Sequence, residues 1–466
     1  MKANRESQAW LGVALWAACA ACLTVQFLLP GFIGIANNGD FGKVYAWLCL
    51  APRGAETNFT HFQPDYIWSA RNYWNSPYHS SESALAWLAT RMAGATHEGA
   101  AFDIRWLGAI HAALYLTAFG VLLAGLRGVG RLTLLASAIV PLVAFTDVCY
   151  TAYLNSFFMD AAALCGLLLM AAAAVCMPPG TPPRTAPFYV FVFAALLFAT
   201  SKTQHAIWVW LPAALLVAWG IKWRERRWRM AAWSASGLVL LAGAVMLLST
   251  DAGYRGQALF NVLFYRLAPD GVDLKPLGVR PEEMRYSGMH SYVAGAPTSD
   301  GEWTVDFGRR TGFVRLLKWY AGHPRRTLRY LAATLKEGNS EMRQSNLGNF
   351  RAEDGRPPHT RTQRFAAWSN WRVEMSRRWP WYLPLWYVVF LLGSVASGAR
   401  LKWVAVGLAV FGAGEFVAAA LADCLDAGRH MFLFQAATDL TVGFAAAWLA
   451  QKTAQKMAQK AIRHTP

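Results

Sequence analysis

Apolar residues gather into long, nearly unbroken runs along this chain. A helix needs about 20 mostly apolar residues to cross a bilayer. Runs of that kind occupy 9–35, 105–126, 131–149, 157–177, 186–202, 205–221, 230–249, 381–398, 401–422 and 430–451. They predict an all-α integral membrane protein with about ten transmembrane helices. The polar break between 186–202 and 205–221 is the shortest. The first run is too long for a cleaved signal peptide, and no small-residue cleavage site precedes the polar stretch after it. Two polar segments, 36–104 and 250–380, interrupt the series. The expected organisation is an N-terminal transmembrane module over 1–249 with about seven spans, an outward segment over 250–380, and a C-terminal module over 381–466 with about three spans and a basic tail.

Composition agrees with this picture. The chain is 55% hydrophobic and 15% charged, with a mean hydropathy of +0.24. Soluble domains carry about 45–50% apolar and about 25% charged residues, so a soluble or disordered chain is excluded. The net charge of +17 points to anionic partners: lipid headgroups or a phosphate-bearing substrate rather than nucleic acid. Lys and Arg set the orientation. With the N-terminus inside, the cytoplasmic pieces hold Lys2, Arg5, Arg127, Arg184, the KWRERRWR cluster at 222–229, Arg400, Lys452, Lys456, Lys460 and Arg463. The segments 36–104 and 250–380 then face outward, and both termini lie inside. No CxxC…CxxC or HExxH spacing exists among the seven cysteines, and Cys19 and Cys22 read as helix-packing residues. No cofactor follows from the sequence. A divalent metal is compatible with it but not indicated.

The outward 250–380 segment is itself basic, with 21 Lys and Arg against 13 Asp and Glu. Such a long loop escapes the positive-inside rule. Its charge suits either a surface near anionic headgroups or a field that attracts a phosphate-linked lipid. Phe313, Leu316, Leu317, Tyr320, Leu328 and Leu331 recur at helical spacing within 311–336, interrupted at His323-Pro324. One or two amphipathic helices against the membrane or the bundle are expected. The stretch 340–364 reads as a loop.

Ionisable groups near membrane spans are costly and usually functional. Four clusters fall on the outer face. Asn37-Asn38-Gly39-Asp40-Phe41-Gly42-Lys43 follows the first span and suits an Asx turn that starts an interfacial helix, or a positioned carboxylate. DVCYTAYLNSFFMD over 147–160 carries Tyr150, Tyr153, Asn155 and Ser156. An aromatic belt explains its rings, but an acid at 160 needs a partner or a wet cavity. Ser201-Lys202-Thr203-Gln204-His205 is either a loop with a snorkelling lysine or a cation, a donor and an imidazole suited to phosphate. Asp423, Asp426, Arg429 and His430 form the fourth cluster, with Gln435 and Asp439 deeper in the last run. Asp426 and Arg429 are spaced for a local ion pair, and Asp439 for a partner on another helix.

Carboxylates and cations at one membrane face suit glycosyl transfer from a lipid phosphate. A carboxylate takes the acceptor proton, and cations neutralise the departing phosphate. Ion-coupled transport of a lipid-linked glycan is the alternative. Transporters place acids near the midplane and often show internal repeats. Here the acids sit mainly at one face, and no repeat is visible.

NNGDFGKV, YLNSFFMD, SKTQHA and DAGRHMFLFQ, with weaker echoes in NVLFYRLAPDGVDLKPLGV and RQSNLGNF, together resemble the GT-C superfamily of polytopic glycosyltransferases, in particular bacterial glycan-biosynthesis hexose transferases. The likeness runs from about 9 to 451. It implies GT-C-like architecture and a polyprenyl-phosphate sugar donor. It also implies a glycan, lipid or protein acceptor at the periplasmic face of a bacterial inner membrane. By position, Asp40 matches the first-loop acid and is the implied base. Asp160 falls where relatives often carry a longer glutamate. Lys202, Gln204, His205, Arg429 and His430 are implied in donor binding, with Asn155 and Tyr153 as further binding residues.

Overall fold

Every predicted apolar run carries a helix in the computed structural model, which describes residues 2–29, 31–54, 57–73, 78–177, 185–397 and 401–463. The expected cytoplasmic residues Arg184 and Arg400 lie outside these. Six helices are long and apolar enough to cross a membrane: Glu6–Phe27, Arg105–Gly125, Thr203–Lys222, Arg226–Leu248, Lys402–Ala422 and Phe432–Met457. Two bent pairs bring the number to eight if each is one span. They are Arg131–Phe145 with Val148–Leu154, bent by 64°, and Ala367–Arg378 with Tyr382–Ala396, bent by 103°. Met159–Val175 and Thr185–Ala199 are apolar but shorter. The chain is thus an α-helical multi-pass membrane protein with six to eight candidate spans, against the ten read from hydropathy. The difference lies in length: Met159–Val175 has 17 residues and Thr185–Ala199 has 15, short of the about 20 that cross a bilayer.

The first run breaks early. Its helix, Lys2–Phe27, ends eight residues before the predicted 35. Ile33, Ile35 and Ala36 are buried as extended chain instead. Ala36 N donates to Gly348 O at 2.9 Å, and Asn349 Nδ2 donates to Gly34 O at 2.8 Å. The 340–364 loop covers these apolar residues, which hydropathy alone assigns to the span. The 36–104 segment also holds a small antiparallel sheet in the order β1 (Leu50–Pro52), β2 (Asp65–Trp68), β3 (Ala101–Asp103). Leu50 pairs with Trp68, and Asp65 with Asp103.

Within 250–380, Ala252–Phe260, Gly301–Thr311, Phe313–Gly322 and Pro324–Ser340 are helices. Asp251 and Asp300 cap the first two through their carboxylates, satisfying otherwise unpaired N–H groups. Gly312 adopts φ 71° between the second and third, a conformation suited to glycine. Pro324 opens the fourth, where its missing N–H is harmless. Phe260, Phe264, Trp303 and Phe307 form the aromatic core of this segment. The helix Ala367–Arg378 is fixed to the bundle by Arg372, which ion-pairs with Asp439 of the last span. Tyr150 and Trp368 also donate to Asp439, at 2.6 and 2.9 Å. Asp439 therefore has a structural partner on another helix.

Candidate functional site

The motif after the first span closes on itself. Asn37 Oδ1 accepts from Gly39 N and Phe41 N at 2.8 and 3.2 Å, and Asn38 Oδ1 accepts from Asp40 N at 3.2 Å. Gly39, at φ 106°, makes the turn possible. A short helix, Gly42–Tyr45, follows. The Asx turn expected on local grounds is therefore present. It also aims the Asp40 carboxylate at two cations. Lys43 Nζ donates to Asp40 Oδ1 at 2.6 Å, and the Arg429 guanidinium donates to Oδ2. Burial pushes the Asp40 carboxyl up, but Arg429, Lys43 and Lys202 outweigh it and hold it well below the usual carboxylate range.

Arg429 comes from the short helix Ala427–His430. Burial disfavours its charge, yet Asp40, Asp160 and Asp426 raise its pKa above the ordinary value. The predicted Asp426 to Arg429 pair forms at 3.7 Å. Asn38 Nδ2 donates to the same Asp426 oxygen at 3.2 Å, joining the first loop to the last. The guanidinium also lies 5.9 Å from the centre of the Phe158 ring, which packs edge-on against Phe41 at 4.6 Å.

Asp160 lies in the first turn of Met159–Val175, where the helix dipole favours an acid. Its Oδ1 is 3.5 Å from Lys202 Nζ and 3.8 Å from His205 Nε2. Lys202 is 2% exposed, and its ammonium makes no hydrogen bond among the described residues. Burial lowers its pKa, against the pull of Asp160 and Asp40. Arg429 Nε is likewise buried without a hydrogen-bond partner. His205 accepts or donates to Ser201 Oγ at 2.9 Å and stacks on Phe198 at 5.6 Å. Lys202 and Arg429 act electrostatically on both Asp40 and Asp160, so the two carboxylates belong to one cluster.

Gln204 donates to Glu415 Oε2 at 2.7 Å and to the His430 carbonyl at 3.3 Å. His430 Nε2 faces Asp423 at 3.6 Å. Burial, with Arg429 and Lys202 nearby, pushes this imidazole well below its ordinary value. Tyr153 stacks between Phe158 and Phe432 at the cluster's edge. Asn155 is not drawn into the polar contacts. It is fully buried and donates to the Ile33 carbonyl at 2.8 Å, which gives it a structural role. Asp147, in the same stretch, caps Val148–Leu154 and accepts from Ser369 N at 3.0 Å.

Three residues at the site went unassigned in the sequence. Lys43 sits inside the quoted motif but was given no role. Tyr254 lies under its ammonium at 4.3 Å. Glu415 is a lone acid, fully buried in a candidate span, and such a residue is a functional signal by itself. Beside His205, an apolar crevice lined by Phe198, Trp208, Leu211, Phe411 and Phe444 extends into the bundle. Among the described residues, no group of three or more His, Cys, Asp or Glu side chains could hold a metal ion.

A family model described as the YfdI N-terminal transmembrane domain matches residues 2–465. No curated protein and no solved structure matches the chain.

Proposed function

We propose that this chain, which belongs to the YfdI N-terminal transmembrane domain family, is a membrane glycosyltransferase of GT-C type. It moves a sugar from a polyprenyl-phosphate donor to a glycan, lipid or protein acceptor at the periplasmic face of a bacterial inner membrane. One observation carries this reading. Two carboxylates, Asp40 and Asp160, meet three cations in one cluster, in which Lys202 Nζ and Arg429 Nε have no hydrogen-bond partner among the described residues. Buried polar groups left unpaired are expensive, and an anionic ligand satisfies both.

In this reading the donor phosphate lies against Lys202 and Arg429, with its isoprenoid tail along the apolar crevice. The acceptor hydroxyl loses its proton to Asp40 as its oxygen bonds to the anomeric carbon. The bond from that carbon to the phosphate oxygen breaks, and the phosphate leaves with the electron pair. Cations in a water-poor site stabilise that developing charge strongly. Asp40 is a poor base while Lys43 and Arg429 hold it. A phosphate that competes for Arg429 weakens that hold, so donor binding prepares the base. Asp160 orients Lys202 and His205.

The test is transfer of radiolabelled sugar from a panel of polyprenyl-phosphate monosaccharides by purified wild type and Asp40→Asn. Transfer or hydrolytic release by wild type alone supports both the class and the base. Transfer by both proteins moves the base elsewhere. No turnover of any donor, with movement of the intact donor across a vesicle bilayer, favours a flippase.

A further inference from the structure

The loop that follows the helical turn Pro281–Tyr286 carries a feature that the phosphate cluster does not use. Tyr292 is 70% exposed. Its loop is nonetheless tied to that of Asp423 through Asn261 and Cys424. An exposed ring so close to a buried charge cluster sits at the rim of the site. The ring continues a row, with His290 6.1 Å from Tyr292 and Tyr265 5.6 Å from His290, edge-on. Between them Ser291 Oγ is buried and has no hydrogen-bond partner among the described residues.

This rim is held in place. Ser291 N donates to Asn261 Oδ1 at 2.8 Å, and Thr298 Oγ1 donates to the Ser291 carbonyl at 2.8 Å. The Asn261 carbonyl accepts from Cys424 Sγ at 3.2 Å. One buried asparagine thus joins the loop of Tyr292 to the loop of Asp423 and Arg429. Asn261 also opens a π-helical turn, Asn261–Leu267, a distortion found often at functional sites.

A flat aromatic face beside hydrogen-bonding groups matches one ligand chemistry in particular. A pyranose ring presents apolar C–H faces and a rim of hydroxyls, and pockets for such ligands combine aromatic walls with a few placed polar groups. The direction of approach separates acceptor from donor. Lys202 and Arg429 are buried in the cluster, at 2% and 7% exposure, whereas Tyr292 is open to the surface. We propose that the rim 288–292 is a subsite for the acceptor sugar. A pyranose lies on the Tyr292 ring, His290 meets its hydroxyls, and the reacting hydroxyl points toward Asp40. The acceptor part of this inference rests on the transferase reading above. The sugar-binding part does not.

The experiment uses the full chain in phospholipid nanodiscs, free of glycoside detergents. Methyl α- and β-glycosides of glucose, galactose and mannose are the probes, read by saturation-transfer NMR without any donor present. The expected result is binding of at least one glycoside to wild type and to Tyr292→Phe, and roughly tenfold weaker binding to Tyr292→Ala, the scale of one lost aromatic contact. No binding to wild type, or equal binding to Tyr292→Ala, overturns the subsite. Saturation passing from the protein to phospholipid alone overturns it too, because the ring is then a membrane anchor. Tyr292-dependent binding with no turnover of any polyprenyl donor leaves the subsite standing and removes the transferase reading. Turnover without Tyr292 dependence does the reverse.

Discussion

The Arg429 guanidinium hydrogen-bonds the Asp40 carboxylate, a partner 389 residues away in the chain. This contact ties the polar loop after the first helix to the one before the last and keeps Asp40 charged, with its pKa below the usual range. The sign of the linkage follows. A depressed folded-state pKa contributes stability that is fully present above the unfolded value of about 4 and is lost progressively as pH falls from there through the depressed folded value. Arg429→Gln removes the largest attraction. The variant is expected to be less stable than wild type at neutral pH, with the gap narrowing below about pH 4. Thermal unfolding in micelles across that range checks it, and a gap that widens in acid contradicts it.

Asp40→Asn keeps the size of the side chain and removes its basicity. Loss of a general base lowers turnover by roughly 10²–10⁴-fold. That loss is expected here with the helical content intact, measured as sugar transfer alongside circular dichroism. Full activity in the variant would show that another group takes the proton.

Lys202 and Asp160 are both buried and 3.5 Å apart. Removing one member of such a pair costs about 3–5 kcal/mol, because a charge is left uncompensated. Lys202→Met should therefore destabilise the protein by that amount, and Lys202→Met with Asp160→Asn should recover part of it. A double-mutant cycle on unfolding free energies measures the coupling. Additive losses would mean that the pair does not interact.

The site was more legible in the sequence than the number of spans. Asp40, Asp160, Lys202, His205 and Arg429 were placed on one face by counting helices between them, and the fold brings all five into one cluster. Polar residues at helix ends stand out against apolar runs, which is why they were found. Ile33 and Ile35 misled for the same reason, because hydropathy cannot tell lipid from the underside of a loop. The strands of the small sheet are three or four residues long, too short to show alternation. Glu415 escapes a hydropathy reading because one acid hardly changes the mean of an otherwise apolar run. Its partner Gln204 lies 211 positions away, beyond any local pattern.

Glu415→Ala should cost about 1–3 kcal/mol through the unsatisfied Gln204 amide and should lower transfer, since Gln204 also holds the His430 carbonyl. Glu415→Gln, which can still accept that hydrogen bond, should retain most of the stability. Paired melting and transfer assays separate the two. Equal losses in both variants would assign the effect to charge instead of to the hydrogen bond.

The orientation has its own check. Arg227 and Asp273 are both exposed, on segments expected on opposite sides of the membrane. In a background lacking the seven native cysteines, Asp273→Cys should react with an impermeant maleimide added to intact cells. Arg227→Cys should react only after the membrane is opened. The opposite pattern inverts the proposed topology.

The 389-residue separation of Asp40 and Arg429 also has a consequence in time. At about 5–20 residues per second, the ribosome delivers Asp40 roughly 20–80 s before its guanidinium partner. During that interval Lys43 follows at once and Lys202 well before Arg429. The cluster closes only when the residues just before the helix Phe432–Arg463 emerge, so a chain released early carries the first acid without the guanidinium that completes its surroundings. Emergence of Arg429 is itself the step that completes the cluster.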